Sequence, residues 1–229
     1  MVCLQEVDVA QPRSHDTHQV QVAARSLGTT QWRFAPTVAG TPSPWRSWHR
    51  LSPADAAFGP DSAPVSVRPL FGNAVLSRLP VRRWEVLPLG HGRARLPLHL
   101  PGPDGVARWW WIPDEPRVAV AAVLDGCTVV GTHLSFSPAT SPVQLRRLRR
   151  WAATLPGPVL VAGDLNLPGA LPARLLGGRR LVTADTYPAP APRLQLDHVV
   201  GPPGSRAEDV VVRALAVGDH RAVAATVAW

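Results

Sequence analysis

Short apolar runs that each end in a carboxylate, an amide or an imidazole recur along this chain of 229 residues. Five segments follow this rule, in the ranges 4–8, 131–134, 163–166, 196–199 and 218–221. The end of a β-strand is where a rigid sheet can hold several hard ligands around one point. The pattern therefore predicts that polar side chains from distant parts of the sequence meet at the rim of one site that handles a divalent metal and phosphate.

Strand signals dominate the chain and helix signals are few. Helices are predicted over 14–27, from Ser141 onward and around 171–176; the second has a serine cap, a proline at its first position and Gln144 to complete the cap. Asp125-Gly126 predicts a tight hairpin. Strands are predicted over 2–7, 73–79, 117–124, 127–134, 159–163, 194–200, 209–215 and 222–228. Many short strands with helices outside them indicate an α+β fold of two packed sheets with helical flanks.

Composition is consistent with a single soluble domain over residues 1–229, because 45% of the residues are hydrophobic and can fill one core. No apolar run reaches the roughly 20 residues that cross a bilayer. The first residues carry no charged-then-apolar leader, so we expect a cytoplasmic monomer. Cys3 and Cys127 each lie in an apolar run, and we expect both to be reduced thiols.

The charge balance points to an anionic substrate. The net charge is +8, and all 24 basic residues are arginine. The guanidinium fork suits phosphate, which makes a phosphate ester or a nucleic acid a reasonable partner. The competing explanation is codon bias in a GC-rich genome, which replaces lysine by arginine throughout a protein but leaves the net positive charge unexplained.

The order of the polar segments resembles the endonuclease/exonuclease/phosphatase superfamily of deoxyribonuclease I-like phosphoesterases. The matching pieces are LQEVD at 4–8, GNAVLSR at 72–78, GTHL at 131–134, GDLN at 163–166, LDHV at 196–199 and GDHR at 218–221. The resemblance implies a four-layer α/β/β/α sandwich of two mixed β-sheets flanked by helices. It also implies hydrolysis of a phosphate ester, first of all a phosphodiester, by in-line attack of an activated water with Mg²⁺, or Mn²⁺ in its place.

The resemblance assigns a metal site and a catalytic group. Glu6 and Asp219 would hold the metal ion, because Mg²⁺ takes oxygen ligands and few of them from protein. Asp164 would position or activate the attacking water. His220 would be the catalytic histidine, and Asp197 would hydrogen-bond it, fixing its tautomer and raising its pKa.

A second set of residues would contact the phosphate. Asn166 lies two residues after Asp164, so in an extended segment both side chains would point to one side. Gly163 and Pro168 beside them also predict an Asx turn, which is compatible with catalysis. His133 resembles the histidine that donates to a phosphate oxygen, although a lone histidine at the end of a strand is commonly a satisfied core residue. Arg117 lies where some relatives place an arginine or tyrosine beside the phosphate, and Asn73 would orient neighbouring ligands.

Some polar residues receive a structural interpretation. We interpret Asp8 as a turn residue and His198 as structural. His15, Asp16 and His18 look like a metal cluster, but they fall in the first turn of the first predicted helix, where Asp16 favours the helix dipole and the histidines can be solvated.

Tryptophans alternate with arginines in two stretches, at 45–50 and 108–111. They are Trp45, Trp48 and Trp109-Trp110-Trp111 beside Arg46, Arg50 and Arg108. Such aromatic faces can stack on bases, lie in a lipid headgroup layer or simply pack over sheet edges.

The amino terminus departs from the family pattern. Relatives begin with a strand that carries an asparagine and then a helix before the LQE strand, whereas here Met1 stands five residues before Glu6. We expect that first strand and helix to be missing, either because the true start lies upstream or because the chain has lost them. An upstream beginning that held a signal peptide would make the protein secreted.

Three functions from different classes follow. The first is a Mg²⁺-dependent phosphoesterase; the second is a lipid-headgroup phosphodiesterase at a membrane surface. The third is a non-catalytic binding protein on the same fold, inactive through loss of the first strand. The sequence does not choose among DNA, RNA, a phospholipid and a small phosphate ester as the substrate.

Overall fold

The computed structural model describes residues 1–43, 48–62, 69–93, 95–102 and 104–229. Its helices are α1 (Gln19–Leu27), α2 (Pro53–Ala56), α3 (Ser141–Ala152) and α4 (Leu171–Leu176), with a 3-10 turn at Pro12–Ser14. Its strands are β1 (Val2–Val9), β2 (Gln31–Gly40), β3 (Trp48–Arg50), β4 (Leu70–Ser77), β5 (Arg83–Gly90), β6 (Arg95–Pro101), β7 (Ala107–Pro113), β8 (Arg117–Val123), β9 (Thr128–His133), β10 (Val159–Asp164), β11 (Arg179–Arg180), β12 (Asp197–Gly201), β13 (Arg206–Arg213) and β14 (Ala222–Ala228).

Two main sheets form the body of the protein. The first is antiparallel with strand order β1-β4-β2-β3, and the second has the order β11-β12-β10-β9-β8-β5. In the second sheet β9 and β10 run parallel while the other neighbouring pairs are antiparallel, so this sheet is mixed. The pairs β6–β7 and β13–β14 each form a separate two-stranded sheet.

The two main sheets pack face to face through the alternating side chains of their central strands. On β4, Val75 belongs to the core between the sheets, whereas Ala74 and Leu76 belong to the core under α1. A side chain at Gly131 on β9 would put its Cβ 2.6 Å from Val75 Cγ2, so the close approach of the sheets requires glycine there.

Helices cover the outer face of each sheet and complete four layers. α1 buries Val20 and Ala24 against the first sheet. α3 buries Leu145 and Leu148 against the second sheet, and α4 lies beside α3. The expected α/β/β/α sandwich is confirmed, but of the two sheets expected to be mixed only the second is, because every described pair in the first sheet is antiparallel. No helix in the described residues is long and apolar enough to cross a membrane.

Two helix starts differ from the predicted ones. α1 begins at Gln19 rather than at 14, because His18 caps it: its Nδ1 accepts from the Gln21 N–H at 3.3 Å. In α3, Ser141 is the first helical residue rather than the expected cap, which is Thr140, and Gln144 does not close a capping box. Instead Gln144 accepts from the Ser135 N–H and donates to the Gly90 carbonyl, which ties the helix to the segment that follows His133.

Candidate active site

Three neighbouring strands bring three of the expected side chains into one row. Asp164 on β10 is in register with His133 on β9 and with Asp197 on β12. Gly163, just before Asp164, has φ 137°, and a Cβ there would collide with the Thr132 carbonyl. The glycine therefore lets the end of β10 approach β9 closely, which sets the spacing of the row.

Asn166 joins this row through a turn rather than through an extended segment. Its backbone N–H donates to Asp164 Oδ1 at 2.8 Å, which is an Asx-type turn, and its own φ is 49°. The amide Nδ2 donates to the Leu134 carbonyl at 2.9 Å and lies 3.4 Å from Asp164 Oδ2. The expected Asx turn is confirmed and the segment is not extended, but the turn also brings the two side chains together.

His133 is held neutral and oriented by Arg117. Arg117 Nη1 lies 3.1 Å from His133 Nδ1, and because a guanidinium can only donate, Nδ1 is the acceptor and the ring proton is on Nε2. That Nε2 lies 3.4 Å from Asp164 Oδ2, which can accept its proton, and 3.2 Å from Asn166 Nδ2, which is itself a donor and so makes no hydrogen bond to it. Burial, then the charges of Arg117 and His220, lower the His133 pKa well below its ordinary value, which agrees with a neutral ring.

His220 has the opposite electrostatic character. Its Nδ1 lies 2.7 Å from Asp197 Oδ2, so the expected hydrogen bond is confirmed, and its Nε2 lies 3.9 Å from Asp164 Oδ2. Burial alone would lower the His220 pKa. The hydrogen bond to Asp197 and the charges of Asp164, Asp197 and Asp219 outweigh burial and raise this pKa to about 9. At neutral pH His220 is therefore a cation with one N–H facing Asp164.

Asp164 lies at the centre of the group and has an unusual acidity. Burial, then the charge of Asp197, raises the Asp164 pKa to about 7, while His220 and the Asn166 N–H act in the other direction. A carboxyl group with this pKa gives up and takes back a proton near neutral pH, which is what a general base needs.

The loop that carries His220 is hydrogen-bonded to a second loop, at residues 186–189, which the sequence did not predict as part of the site. The Ala189 N–H donates to the Asp219 carbonyl at 2.6 Å, and the Arg221 N–H donates to the Thr186 carbonyl at 2.8 Å. The Thr186 hydroxyl also accepts from the Asp197 N–H, and the Tyr187 ring lies 4.8 Å from the His220 ring, centroid to centroid. Tyr187 is the single tyrosine of the chain, but no motif marked it.

The two expected metal ligands have different neighbours: Asp219 precedes His220 and its charge acts on that histidine, whereas the charge of Glu6 acts on Arg13 and Glu115. Glu6 has φ 55°, at an irregularity in the β1–β4 pairing that turns it away from the regular alternation. Glu6 and Asp219 are both exposed, and neither side chain makes a hydrogen bond or an ion pair with a described residue. Within the described ranges, no three His, Cys, Asp or Glu side chains form a ready-made metal cluster.

The Glu115 carboxyl group, whose pKa the charge of Glu6 helps to raise, has an oxygen without a hydrogen-bond partner that would suit a cation. Burial is the main cause that raises the Glu115 pKa, and the charges of Glu6 and Asp114 add to it while Arg117 opposes it. Glu115 Oε2 is closed off from solvent and has no partner among the described residues. Mg²⁺ binds through one or two carboxylates and keeps several waters, so these oxygen donors fit a hard divalent cation.

Comparison with known proteins agrees with this geometry. A family model described as the endonuclease/exonuclease/phosphatase family matches residues 1–220. This chain belongs to that family. No curated protein matches it in sequence.

Solved structures of the family share its fold. An endonuclease/exonuclease/phosphatase from Beutenbergia cavernae is 21% identical with a TM-score of 0.55, and the match covers 99% of this chain but 61% of that one. A family protein from Leptotrichia buccalis is 10% identical with a TM-score of 0.59, covering 99% of this chain and 86% of that one. The chain thus spans less than two thirds of the Beutenbergia protein.

Several other predicted residues of this family member have structural contacts. Asp8 is not a turn residue: it is buried in β1 and its carboxylate accepts from Arg13 at 2.7 Å. Asn73 donates to the Val118 carbonyl across the two sheets, and buried His198 lies 2.9 Å from the Leu167 carbonyl. His18, besides capping α1, makes edge contacts with Trp32 and Phe58.

The described tryptophans of the two stretches have different surroundings. Trp45 and Arg46 lie outside the described residues, and Arg50 stacks 5.4 Å from the Trp48 ring centroid. In the β6–β7 hairpin, Trp109 and Trp111 are 69% and 63% exposed, whereas Trp110 on the opposite face is half-buried.

Proposed function

We propose that this chain is a Mg²⁺-dependent phosphodiesterase in which Asp164 activates a water for in-line attack on phosphorus. The observation that supports it most is the arrangement around Asp164: a neutral histidine on one side, a cationic histidine on the other, and an amide folded back over the carboxylate. The Asp164 pKa of about 7, raised by burial and by the charge of Asp197, suits a general base near neutral pH and supports this role.

Asp164 accepts the proton of the attacking water. The water oxygen forms the new bond to phosphorus, and the ester oxygen leaves on the opposite side and takes up a proton from solvent. Because His220 Nε2 lies only 3.9 Å from Asp164 Oδ2, the two groups face the same side of the phosphate. His220 therefore donates to a non-bridging phosphate oxygen and stabilises its developing charge, rather than protonating the leaving group.

The neighbouring side chains hold the geometry. Asp197 keeps the His220 proton on Nδ1 and leaves the Nε2–H to the phosphate. The Asn166 amide, anchored on the Leu134 carbonyl, and the His133 Nε2–H complete the phosphate contacts. Arg117 is 5% exposed and its guanidinium lies against His133, so it acts by positioning that ring; a direct Arg117–phosphate contact stays a prediction.

Glu6 and Asp219 would hold the metal ion. When bound, Mg²⁺, or Mn²⁺ in its place, supplies positive charge that neutralises the phosphate and polarises its oxygens.

A panel of substrates tests the proposal. Single-stranded DNA, duplex DNA, RNA, sphingomyelin, bis(p-nitrophenyl) phosphate and p-nitrophenyl phosphate are each assayed with Mg²⁺, with Mn²⁺ and with chelator. We expect hydrolysis of at least one diester that chelator abolishes. Absence of hydrolysis throughout the panel, with the protein folded, would instead favour the non-catalytic binding protein.

The exposed tryptophans favour a second candidate, a lipid-headgroup phosphodiesterase at a membrane surface. Trp109 and Trp111 lie two residues apart on β7 and so share one face of the hairpin, and Arg95 belongs to the paired strand. Indole rings beside cationic groups suit the headgroup layer. Trp110 does not share that face, so the pair to replace is Trp109 and Trp111.

Vesicle co-sedimentation tests this candidate. The Trp109→Ala/Trp111→Ala variant should lose binding to phospholipid vesicles and activity on sphingomyelin. Trp229→Ala is the matched control, since Trp229 is 53% exposed at the end of the chain. Vesicle binding that is absent in the wild type, or equal in both variants, would exclude the membrane candidate.

A further inference from the structure

A cleft lined by guanidinium groups lies between α3 and α4, apart from the candidate active site. It has a volume of about 460 Å³. Its lining consists of Arg146, Arg149, Arg150, Ala153, Arg174 and Leu175. The sequence has no aspartate or glutamate from residue 126 to residue 163, so α3 brings four arginines and no acid to this surface.

Intramolecular contacts compensate only part of this charge. Arg149 donates to the Leu175 carbonyl at 3.2 Å, and Arg149 and Arg150 lie in the last turns of α3, where the helix dipole favours cations. Arg146 has no such hydrogen bond and does not lie in the last turn of α3. No described carboxylate pairs with any of the four lining arginines, and like charges three or four residues apart on a helix repel. The arrangement therefore favours an anion from outside.

The position of the cleft along α3 indicates what kind of anion would bind there. α3 follows His133 after a short loop, and the Ser135–Gln144 hydrogen bond fixes its first turn beside the site. At 1.5 Å per residue, Arg146 and Arg150 lie about 8 Å and about 14 Å along the helix axis from its start. A ligand that reached both the site and the cleft would have to extend along α3, as a chain of phosphates can and one small phosphate ester cannot.

We propose that the α3–α4 cleft binds the phosphodiester backbone of a nucleic acid whose scissile phosphate lies in the candidate active site. The part of this inference that names the scissile phosphate rests on the proposed function. Guanidinium forks match phosphate oxygens bidentately, and the lining offers only Ala153 and Leu175 as apolar groups. A concave cleft with four guanidinium groups suits a threaded backbone better than it suits a flat membrane.

Binding is measured without turnover in the full chain carrying Asp164→Asn. Fluorescence anisotropy follows a labelled 20-nucleotide single-stranded DNA, its RNA counterpart and the duplex between 50 and 200 mM salt. Arg146→Gln/Arg150→Gln should weaken binding about tenfold and reduce the log–log salt slope by about 1.4 for the single strand, the value for two lost phosphate contacts. Arg147→Gln is the matched control, because Arg147 is exposed on the same helix but does not line the cleft.

Equal weakening by the control and by the cleft variant would overturn the proposal. So would binding of anionic phosphatidylserine vesicles, but not of nucleic acid, that depends on Arg146 and Arg150. A measurement that needs no variant is phenylglyoxal modification of the wild-type protein, with the modified peptides mapped by mass spectrometry. Nucleic acid should protect Arg146 and Arg150 more than Arg147, and uniform protection would also contradict the proposal.

Activity on a small diester separates this inference from the proposed function. Arg146→Gln/Arg150→Gln, with Asp164 intact, should hydrolyse bis(p-nitrophenyl) phosphate like the wild type, because that diester cannot reach the cleft. If no diester is hydrolysed while nucleic-acid binding still depends on Arg146 and Arg150, the proposed function fails and the cleft inference stands.

Discussion

The inner and outer halves of the candidate site are built differently. The inner half consists of His133, Asp164 and Asn166, joined to each other and to the backbone by short polar contacts and closed off from most solvent. The outer half consists of Glu6 and Asp219, whose exposed carboxylates have no hydrogen-bond or ion-pair partner in the described residues. His220 contacts Asp164 of the inner half and also Asp197, and in the sequence it directly follows Asp219 of the outer half.

This difference indicates that the inner half serves turnover and the outer half serves metal binding. The inner half owes its acidities to burial and to neighbouring charges, so it is preorganised by the fold itself. The outer half keeps oxygen donors available at the surface, where an ion can arrive from solvent. Substitutions in the inner half should therefore change turnover, and those in the outer half should change the metal concentration that the protein needs.

The largest effect is expected at the centre of the inner half. Asp164→Asn keeps the volume and the hydrogen bond from the Asn166 N–H but removes the base, so kcat on a diester should fall by about 10³-fold. Initial rates at saturating substrate and Mg²⁺ measure this. Asp125→Asn, in the exposed turn after β8, is the control and should retain wild-type activity.

The next effect is at Asp197. Asp197→Asn should reduce kcat by about 10²-fold and lower the His220 pKa from about 9 toward its ordinary value, because the main interaction that raises it is weakened. An NMR titration of the imidazole signals measures the pKa directly, with His18 as an internal reference. An unchanged His220 pKa would contradict the assigned pairing.

The outer half should respond through metal affinity. Glu6→Gln and Asp219→Asn should each raise the Mg²⁺ concentration for half-maximal activity by about 10–100-fold, with much of the lost rate recovered at saturating Mg²⁺. Asp16→Asn, an exposed carboxylate near α1, should leave the Mg²⁺ curve unchanged. A loss that no Mg²⁺ concentration restores would place these two carboxylates outside the metal site.

The smallest effect is on stability. The folded-state pKa of His220 is raised to about 9 from 6.5, so its contribution to folding is complete below about pH 6.5 and is lost as the pH rises to about 9. Asp164, raised from 3.8 to about 7, changes stability in the same direction between those values. The free energy of unfolding should therefore fall by about 1–3 kcal/mol between pH 6.5 and 9. Urea unfolding measures it, and His220→Gln should flatten the curve; a rise with pH would contradict the pairing.

Much of the fold could be predicted because its signals are local. Short apolar runs marked the central strands, Asp125-Gly126 marked the β8–β9 hairpin, and Leu145 and Leu148 marked the buried face of α3. The start of α1 could not be predicted, because a histidine cap and left-handed residues at 15 and 16 replaced the expected first turn. The strand predicted over 194–200 begins only at Asp197, since Leu194 pairs with Tyr187 in a loop bridge.

Some residues of the candidate site could likewise be predicted from local signals, and others could not. Residues that end strands, such as His133 and Asp164, could be identified from the apolar runs before them. Thr186, Tyr187 and Glu115 could not, because their contacts depend on how distant loops fold over the sheet edge. The exposure of Trp109 and Trp111 also required the structure, since three consecutive tryptophans do not reveal which face of a hairpin is covered.

A Mg²⁺ titration of phosphodiester hydrolysis tests the central claim most directly. The wild-type protein is freed of metal with chelator, and its initial rate on bis(p-nitrophenyl) phosphate and on single-stranded DNA is followed as Mg²⁺ is added back, beside Asp164→Asn. We predict a rate that is absent without metal, rises to saturation in the wild type and stays about 10³-fold lower in the variant. Hydrolysis that persists in chelator, or that is equal in the two proteins, would contradict a metal-dependent site centred on Asp164.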